Sequence, residues 1–536
     1  MKSAKIEQLT NDPVIDVALD TIKIGKQALV FVNSKPSAEK CAEEIAKKVG
    51  AGKGKARVMD SDAGLDKIAE EILHALSKPT KQCERLAFCV KKGIAFHHAG
   101  LIHKQRELVE DNFRKGLIKI ICCTPTLAAG VNLPAYRAVI RDLKRFGHHG
   151  LSWIHVLEYH QQAGRAGRPG FDDHGQAITF AASEGEKDEI TERYIHGEVE
   201  EIYSKLAVEP VLRTYLLALI AADFVNSEKD IVKFFSKTFW AKQFEDMPKL
   251  QSIIDRMLEM LDEWEFIKLP VSEDFVSAAE IVKGNAGGRI TATPLGRKVA
   301  ELYIDPLTAH EFVLALRKST AKEIEAYSFL QMVSDTLEMR PLLKVKTKEW
   351  EELQERLIKH SDCLLRGEPS LYDDDYDTFF DSVKTAFMLL DWVEERDEEF
   401  IMEQYGARPG ELRVKLDLGD WLLYGAEELS RIMVLNEARR EIMKLRMRLK
   451  HGAKEELLPL LQLKNIGRVR ARKLFSNMIK DIGDVKAADI GTLRQILGDK
   501  IAVDVKQQVG QEFEPSKVQV KEGKRKGQLS LNDYKD

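Results

Sequence analysis

Short apolar runs alternate with amphipathic segments through residues 1–197. Five of the runs are strand candidates: QALVFV (27–32), GIAFHHA (93–99), IKIICCT (118–124), AVIRDL (138–143) and GQAITFA (175–181). IKIICCT is continuous and β-branched, as a buried parallel strand should be. Between them lie segments with helical spacing, such as SAEKCAEEIAKKV, for which Ser37 is the predicted N-cap. This alternation predicts an α/β domain with a parallel sheet at residues 1–197.

The remainder of the chain has a mostly helical pattern. Helices followed by the β-type piece GGRITATPLG predict a winged helix at residues 198–303. Residues 304–449 are helical throughout, and residues 450–510 form a second, compact helical module. Residues 511–536 are polar and highly charged, so we expect a flexible tail there.

Composition indicates a soluble globular protein of several domains, with 44% hydrophobic and 31% charged residues. The net charge of −4 does not by itself indicate a nucleic-acid binder, although a local basic surface is compatible with it. The six cysteines show no CxxC spacing, and we assign them no zinc-type histidine pattern, so we expect reduced thiols and no metal site. Neither a signal peptide nor a membrane span is predicted, which favours a cytoplasmic location without membrane contact.

Four polar, glycine-containing segments adjoin the predicted strands, and ligands bind at strand ends in parallel α/β sheets. They are VNSKPSAE (32–39), HHAGL (97–101), TPTLAAGVNLP (124–134) and QQAGRAGRPG (161–170). In this order they resemble the second RecA-like motor domain of superfamily 2 helicases. The whole chain is similar to archaeal HelQ-type, Ski-two-like DNA repair helicases, because the resemblance continues in LRTYLLALIA (212–221), TPLGRKVAELYIDP (293–306), WLLYGAEELSRI (421–432) and LLQLKNIGRVRARKLF (460–475).

The resemblance assigns the QQAGRAGRPG segment to the nucleotide. It implies that Arg165 and Arg168 reach the triphosphate of ATP, where arginine stabilises charge on the transferring phosphoryl group. Gln161 would link this site to the nucleic acid, and close packing would require Gly164 and Gly167. The resemblance also places Gly130 and Asn132 of GVNLP on the nucleotide side, with Asn132 coupling it to the DNA groove.

No segment matches the P-loop pattern GxxxxGK[ST], and no DExH segment is present. GAGKGKAR (50–57) has the wrong spacing. We therefore expect that the first motor domain is absent, that it would hold most of the ATP and Mg²⁺, and that this C-terminal part is inactive alone.

Other motifs resemble the DNA-facing residues of the family. His98, Gly100 and Thr124 match positions that contact strand phosphates. The segment RFGHHGLSWI (145–154) predicts a β-hairpin, which in the resembling family separates duplex strands, with Phe146 at the last base pair and Trp153 as the alternative.

The segment GELRVKLDLGDWLLYGAEELSRI (410–432) resembles the ratchet helix of the family, which lies along single-stranded DNA. There Arg413 would contact phosphate and Trp421 would stack on a base, with a core aromatic as the alternative for Trp421. Because the family's arginine usually stands one residue nearer the tryptophan, Lys415 is the alternative to Arg413.

Near the C-terminus, the turn NIG and its flanking arginines resemble a helix-hairpin-helix element. Arg468, Arg470 and Arg472 would supply salt-sensitive, sequence-independent DNA affinity, and a solvated basic face is the alternative.

The tail KGQLSLNDYKD (526–536) has the Q-x-x-L-x-x-aromatic spacing of peptides that dock on sliding clamps. Gln528, Leu531 and Tyr534 are the residues concerned. A single-strand-binding protein is the alternative partner, and a solubilising tail that binds nothing is the alternative to both.

Taken together, these features predict the C-terminal part of an ATP-dependent 3′–5′ DNA helicase that acts on stalled, forked or branched replication DNA. We expect a nucleoid-associated monomer that binds single-stranded and forked DNA. Two alternatives remain: a DNA-binding or annealing module without motor activity, and an RNA-directed relative of the same superfamily.

Overall fold

The computed structural model describes residues 6–510, apart from residues 51–62, 148–149, 169, 171, 207, 271–288 and 371. The chain divides into two compact units. The first, here called the α/β unit, comprises Met1–Leu212, Glu228–Asp255 and Glu398–Asp417. The second, here called the helical unit, comprises Arg213–Ser227, Arg256–Asp397 and Leu418–Asp536.

The α/β unit is built on a five-stranded parallel sheet with strand order β2-β3-β1-β4-β7. Its strands are β1 Ala28–Phe31, β2 Ile94–His97, β3 Ile120–Cys123, β4 Arg137–Ile140 and β7 Gln176–Thr179. Strands β1 to β4 are buried along their whole length, which explains their mostly apolar sequences. The predicted parallel sheet is therefore confirmed. Four strands lie inside their predicted runs, and β4 begins one residue before its run, at Arg137.

Helices cover both faces of this sheet and connect its strands. They are α1 Pro13–Lys23, α2 Lys35–Gly50, α3 Ala63–Leu73, α4 Lys81–Val90, α5 His103–Arg114, α6 Thr126–Gly130, α7 Val156–Ala163 and α8 Glu184–Ile190, the last continued by a π-helical turn, Thr191–Ile195. The prediction that Ser37 caps α2 is wrong. The helix begins earlier, and the Ser34 hydroxyl accepts the Ser37 backbone N–H (3.2 Å), as an N-cap does.

A two-stranded antiparallel hairpin follows β4, as the sequence predicts. Its strands are β5 Lys144–Gly147 and β6 Gly150–Trp153, in which Phe146 pairs with Leu151. The side-chain amide of Asn33, just beyond β1, donates to the Lys144 carbonyl. The hairpin therefore starts at the carboxyl edge of the sheet.

In the middle of the chain, the described residues form four helices and a short ribbon. The helices are α9 Glu209–Ala221, α10 Glu228–Phe235, α11 Phe239–Phe244 and α12 Met247–Glu263, and the antiparallel ribbon pairs β8 Ile267–Lys268 with β9 Thr291–Ala292. Helices with a small ribbon are compatible with the predicted winged helix, which stays a prediction.

The rest of the described chain is helical. The helices are α13 Pro294–Leu302, α14 Pro306–Lys318, α15 Ala326–Ser334, α16 Trp350–Ile358, α17 Tyr376–Val393, α18 Glu398–Tyr405, α19 Pro409–Ile432, α20 Asn436–His451, α21 Leu458–Leu461, α22 Arg468–Ser476, α23 Ile482–Ala487, α24 Ile490–Leu497 and α25 Asp499–Gln508. Three 3₁₀ turns, Thr347–Glu349, Ser361–Cys363 and Glu455–Leu457, lie between them.

Two cores stabilise the helical unit. In one, the stacked rings of Tyr327 on α15 and Phe387 on α17 lie 4.6 Å apart and are fully buried. The other is a separate cluster of buried residues between Ala453 and Val509. The module predicted at residues 450–510 stays a prediction.

Two further findings concern the whole described chain. All six cysteines are buried and unpaired. Among the residues that the structure describes, none of the helices has both the length and the apolar character needed to cross a membrane.

Candidate nucleotide and DNA interface

The GRAGR loop lies between α7 and β7, and its first arginine binds another motif. Arg165 donates from Nε to the Ala128 carbonyl (3.0 Å), with a second bond from Nη2 to the same oxygen. The backbones also meet, since Ala135 N–H donates to the Arg165 carbonyl (2.9 Å) and Gly167 N–H donates to Ala135 (2.7 Å). The structure therefore joins the segments TPTLAAGVNLP and QQAGRAGRPG.

The second arginine is oriented by a buried carboxylate. Arg168 makes a two-pronged contact to Asp172, with Nε 2.8 Å from Oδ2 and Nη2 3.1 Å from Oδ1, and Nη1 donates to Gln27 Oε1 (2.7 Å). Lys26 Nζ lies 2.6 Å from the same carboxylate. These two cations hold the pKa of Asp172 well below its usual range, so the carboxylate stays ionised and fixes the guanidinium.

Glycine matters in this loop for two different reasons. Gly167 has φ +97°, which favours glycine. At Gly175, a side chain would collide with the backbone of Ala166 and Gly167. The requirement at Gly175 was missed from sequence, because only the folded loop brings it against Ala166. Gly164 is exposed, and a Cβ there would lie 3.0 Å from the His160 carbonyl oxygen.

The remaining residues predicted on the nucleotide side are more open. Gln161 is exposed on α7, whereas its neighbour Gln162 is buried. Gly130 and Asn132 are also exposed, and nothing lies within 4 Å of a Cβ built at Gly130. These three residues are accessible to a ligand.

The loop after β2 places His98 inside the protein. The ring is fully buried, with Nε2 3.2 Å from Glu39 Oε1 and Nδ1 accepting the Gly100 N–H (3.1 Å). Burial lowers the pKa of His98, so the ring is neutral. The imidazole cannot touch a DNA strand in this conformation, although Ala99 beside it is exposed.

Glu39 is the centre of a buried polar network that holds α19 to this loop. Its carboxylate accepts from Arg408 Nε (2.9 Å), Arg85 Nη1 (2.6 Å) and Gln82 Nε2 (2.9 Å). Hydrogen bonds from His98, Arg408 and Gln82 hold the pKa of Glu39 well below its usual range. The network was missed from sequence, because no local pattern connects Glu39 with Arg408.

Two glycines complete the contact between this loop and α19. Gly410 N–H donates to the Gly100 carbonyl (3.0 Å). A side chain at Gly410 would collide with the Ala99 and Leu101 carbonyls, and one at Gly100 would collide with Arg408. Gly100 is therefore buried by residues of the α/β unit and is not exposed to a DNA strand.

Thr124 lies at the carboxyl end of β3. Its backbone N–H donates to the His97 carbonyl (3.3 Å), and its hydroxyl lies 3.0 Å from that of Thr126. His98 and Thr124, both predicted to contact a DNA strand, thus lie together at the carboxyl edge of the sheet. Arg168 contacts Gln27, just before β1, at the amino edge.

The two aromatic residues of the hairpin differ sharply in exposure. Phe146 is 84% exposed. Trp153 is half-buried, with Lys144 Nζ 4.0 Å above its ring and Tyr194 at 6.2 Å. Phe146 is therefore available for stacking on a base, whereas Trp153 anchors the hairpin.

The two cations near the start of α19, Arg413 and Lys415, differ in exposure. Arg413 is 62% exposed and lies 3.2 Å from Asp417. Lys415 is buried, and burial lowers its pKa to about 8. Arg413 is thus the accessible member of the pair, so the alternative role for Lys415 loses support. Farther along, Trp421 is half-buried and its Nε1 donates to the Leu302 carbonyl (3.2 Å).

Two of the three arginines on α22, Arg468 and Arg472, contact acidic or aromatic side chains of the helical unit. Arg472 contacts Glu395 (Nε, 2.9 Å) and Glu456 (2.7 Å), and Glu395 raises its pKa further. The Arg468 guanidinium lies 4.5 Å above the Trp392 ring. Arg470 is exposed and donates to the Asn465 carbonyl (2.9 Å).

The predicted tail residues Gln528, Leu531 and Tyr534 lie outside the described residues.

Comparison with known families matches two parts of the chain. Residues 327–452 match the archaeal helicase domain 4 family, and residues 71–170 match the helicase conserved C-terminal domain family.

Curated relatives extend this similarity over nearly the whole chain. An ATP-dependent DNA helicase Hel308 from Methanococcus vannielii is 35% identical over 96% of this chain and 69% of its own length. Proteins of the same name from Methanocella arvoryzae and Pyrococcus abyssi are each 36% identical, over 94% and 96% of this chain and 65% and 67% of their own lengths. The chain therefore spans about two thirds of the length of these relatives.

Proposed function

Since this chain belongs to the Hel308 family of archaeal superfamily 2 helicases, we propose that it is the C-terminal part of an ATP-dependent 3′–5′ DNA helicase. Its proposed substrate is single-stranded and forked DNA at stalled replication sites. The helicase C-terminal and archaeal domain 4 matches support the motor and the helical parts of this assignment.

One observation carries the proposal: the two sets of motif residues lie at opposite edges of one sheet. Arg168 meets Gln27 at the amino end of β1. Thr124, the His98 loop and the hairpin follow the carboxyl ends of β3, β2 and β4. A helicase motor must bind the nucleotide and the DNA strand at separate sites and couple the two sites through a rigid element. The parallel sheet would provide this coupling here.

The residues present fit only part of an ATP site. Arg165 and Arg168 supply half-buried guanidinium groups for phosphate oxygens. The sequence has no P-loop to cradle the phosphates, and Asp172 is engaged by Arg168 and Lys26 rather than free for Mg²⁺. Bound ATP would supply phosphoryl transfer to water, and this chain's contribution would be to orient two positive charges toward it.

The proposal is tested first on the chain itself. Fluorescence anisotropy should show binding to forked and single-stranded DNA without ATP, at micromolar strength or better in low salt. No DNA-stimulated ATPase activity should appear. Equal or tighter binding to single-stranded RNA of the same sequence would favour the RNA-directed alternative.

The polarity is tested in a fusion that supplies a first motor domain. The N-terminal third of the Methanococcus vannielii relative is fused ahead of Met1, and unwinding is measured on duplexes with a single 3′ or 5′ tail. Unwinding of the 3′-tailed duplex alone supports the proposal. Strand annealing by the unfused chain, with no unwinding by the fusion, would support the stand-alone module instead.

The partner of the tail is a separate proposal that rests on sequence spacing alone. A labelled peptide of residues 520–536 should bind the sliding clamp of the source organism, and Leu531→Ala with Tyr534→Ala should abolish binding. Binding to a single-strand-binding protein but not to the clamp would transfer the assignment. Binding to neither would leave a solubilising tail.

A further inference from the structure

Three side chains of different donor chemistry converge at one point in the helical unit. Glu325 lies immediately before α15, and His360 and Cys363 belong to the turn that follows α16. His360 Nδ1 lies 3.0 Å from Glu325 Oε2, and Cys363 Sγ lies 3.9 Å from the same oxygen. One donor atom from each residue lies within 4.8 Å of the other two.

These separations are close to what a metal ion requires. Tetrahedral Zn²⁺ with sulfur at about 2.3 Å and nitrogen or oxygen at about 2.1 Å separates its ligand atoms by roughly 3.3–3.7 Å. The distances of 3.0 and 3.9 Å bracket this range. Small rotations of the three side chains would therefore create the geometry without moving the backbone.

The donor set selects the kind of ion. A thiolate, an imidazole and a carboxylate together suit a borderline-soft cation such as Zn²⁺ or Co²⁺, whereas Mg²⁺ and Ca²⁺ prefer oxygen ligands alone. The spacing His360-x-x-Cys363 places one ligand at the N-cap and one at the end of the 3₁₀ turn Ser361–Cys363. This site was missed from sequence, because Glu325 lies 35 residues before His360.

The surroundings hold the site rigid on one side and open on the other. The His360 ring packs 4.7 Å from Tyr327 and 5.9 Å from Phe387, both of which are buried in the core. Cys363 is buried, while the side chain of Glu325 is 52% exposed. An ion can therefore enter past Glu325, and water can occupy its fourth position.

We propose that Glu325, His360 and Cys363 form a binding site for a thiophilic divalent metal ion, with Zn²⁺ as the preferred ion. The ion replaces the thiol proton of Cys363, which at present is donated to the His360 carbonyl (3.1 Å). Burial raises the pKa of this thiol, so the metal supplies the charge that stabilises the thiolate. The bound ion would cross-link the start of α15 to the turn after α16.

The first experiment measures binding to the untagged, chelator-treated chain. Titration of Zn²⁺ against a chromophoric chelator should give one equivalent of tightly bound metal per chain. Titration with Co²⁺ should produce the near-ultraviolet charge-transfer band of a cobalt–thiolate bond together with visible bands of tetrahedral Co²⁺. Absence of stoichiometric binding by both ions would overturn the proposal.

Matched variants assign the ligands. Cys363→Ser should remove the cobalt–thiolate band, and His360→Gln should weaken Zn²⁺ binding at least about tenfold. The controls Cys83→Ser and His310→Gln change a buried thiol and a partly buried histidine elsewhere, and they should bind metal as the unmodified chain does. A cobalt–thiolate band that persists in Cys363→Ser would refute this site.

A folding readout separates metal binding from general damage. Zn²⁺ should raise the thermal melting temperature of the unmodified chain and of both controls. Glu325→Gln keeps the core thiol and ring intact, so it should melt normally in chelator but lose most of the Zn²⁺-dependent shift. An unchanged shift in Glu325→Gln would exclude the carboxylate ligand and with it the proposed site.

Discussion

The GRAGR loop of the α/β unit and the GRVRARK segment of α22 have similar sequences but hold their arginines differently. In the loop, Arg165 binds a carbonyl and Arg168 binds one buried carboxylate, and both remain half-buried. On α22, Arg472 lies between two carboxylates, while Arg470 is exposed. In similar motifs, the guanidinium group is therefore oriented by one carboxylate (Arg168), neutralised by two carboxylates (Arg472) or exposed to solvent (Arg470).

The difference depends on partners that lie elsewhere in the chain. A single carboxylate, Asp172, orients Arg168 and also pairs with Lys26, so this cluster keeps a net positive charge. Two carboxylates, Glu395 and Glu456, exceed the single charge of Arg472, so an incoming phosphate would compete with both. A basic motif thus indicates an anion site only where its arginines are not already neutralised.

The largest expected effect concerns the oriented arginines. In the fusion with a restored motor domain, Arg165→Ala and Arg168→Ala should each lower ATP turnover by about 10³–10⁵, as the loss of an arginine finger does. DNA binding should stay nearly intact, because the loop and the motifs predicted to contact DNA lie at opposite edges of the sheet. Arg114→Ala, an exposed arginine of the same unit, is the control. Near-normal turnover in either variant would remove that residue from the phosphate site.

The second prediction asks whether Arg408, which pairs with a buried carboxylate, has a structural role. Arg408→Ala removes one cation from Glu39, whose side chain is 4% exposed. Breaking a buried ion pair typically costs about 3–5 kcal/mol, and Arg85, which remains, should keep the loss near the lower end. Urea denaturation measures it. Arg413→Ala changes an exposed arginine nearby on α19 and should change the free energy of unfolding by less than about 0.5 kcal/mol; equal losses would contradict the distinction.

The third prediction uses the buried cation of α19. The pKa of Lys415 is lowered from 10.5 to about 8, so between these values the unfolded chain binds more protons than the folded one. Stability from this group therefore rises with pH from about 8 to 10.5 and is lowest below pH 8. Lys415→Met should raise the free energy of unfolding at pH 7 by on the order of 3 kcal/mol.

The same variant should also remove the rise with pH. The measurement is the difference in unfolding free energy between the variant and the unmodified chain at pH 7 and pH 10, which cancels the titration of other groups. A difference that does not change with pH would show that Lys415 is not desolvated.

The smallest expected effect compares two arginines of α22. Arg470→Ala should reduce the slope of log K against log salt by about one, whereas Arg472→Ala should leave the slope unchanged. Salt titrations with forked DNA measure both. If the variant with both Arg470→Ala and Arg472→Ala reduces the salt slope by about two instead of one, Arg472 must leave its carboxylates to bind phosphate, as the sequence alone predicts.

Sequence reasoning succeeded where structure depends on near neighbours. The strands around Val30 and Ile121 were predictable because apolar, β-branched runs bury on both faces of a parallel sheet. The hairpin with Phe146 was predictable from its flanking strands and glycines. Even here the start of α2 was misplaced, because Ser34 and Ser37 are both good capping residues.

It failed where function depends on distant partners. Nothing near His98 indicates that Glu39 and Arg408 enclose it, because that network forms only when segments from far along the chain pack together. For the same reason, Arg470 and Arg472 could not be distinguished from sequence. Charge is a local property of the sequence, but its availability to a ligand is set by tertiary packing.

The contact between Gly100 and Gly410 also limits how such chains can diverge. Each position lacks room for a methyl group, at Gly410 because carbonyl oxygens of the facing backbone occupy the space. A saturation mutagenesis library should therefore tolerate almost no substitution at Gly410, and replacement of Gly100 should survive only alongside a smaller residue at Arg408. Positions 100 and 408, far apart in the sequence, thus share one epistatic constraint: a side chain at position 100 requires a smaller residue at position 408.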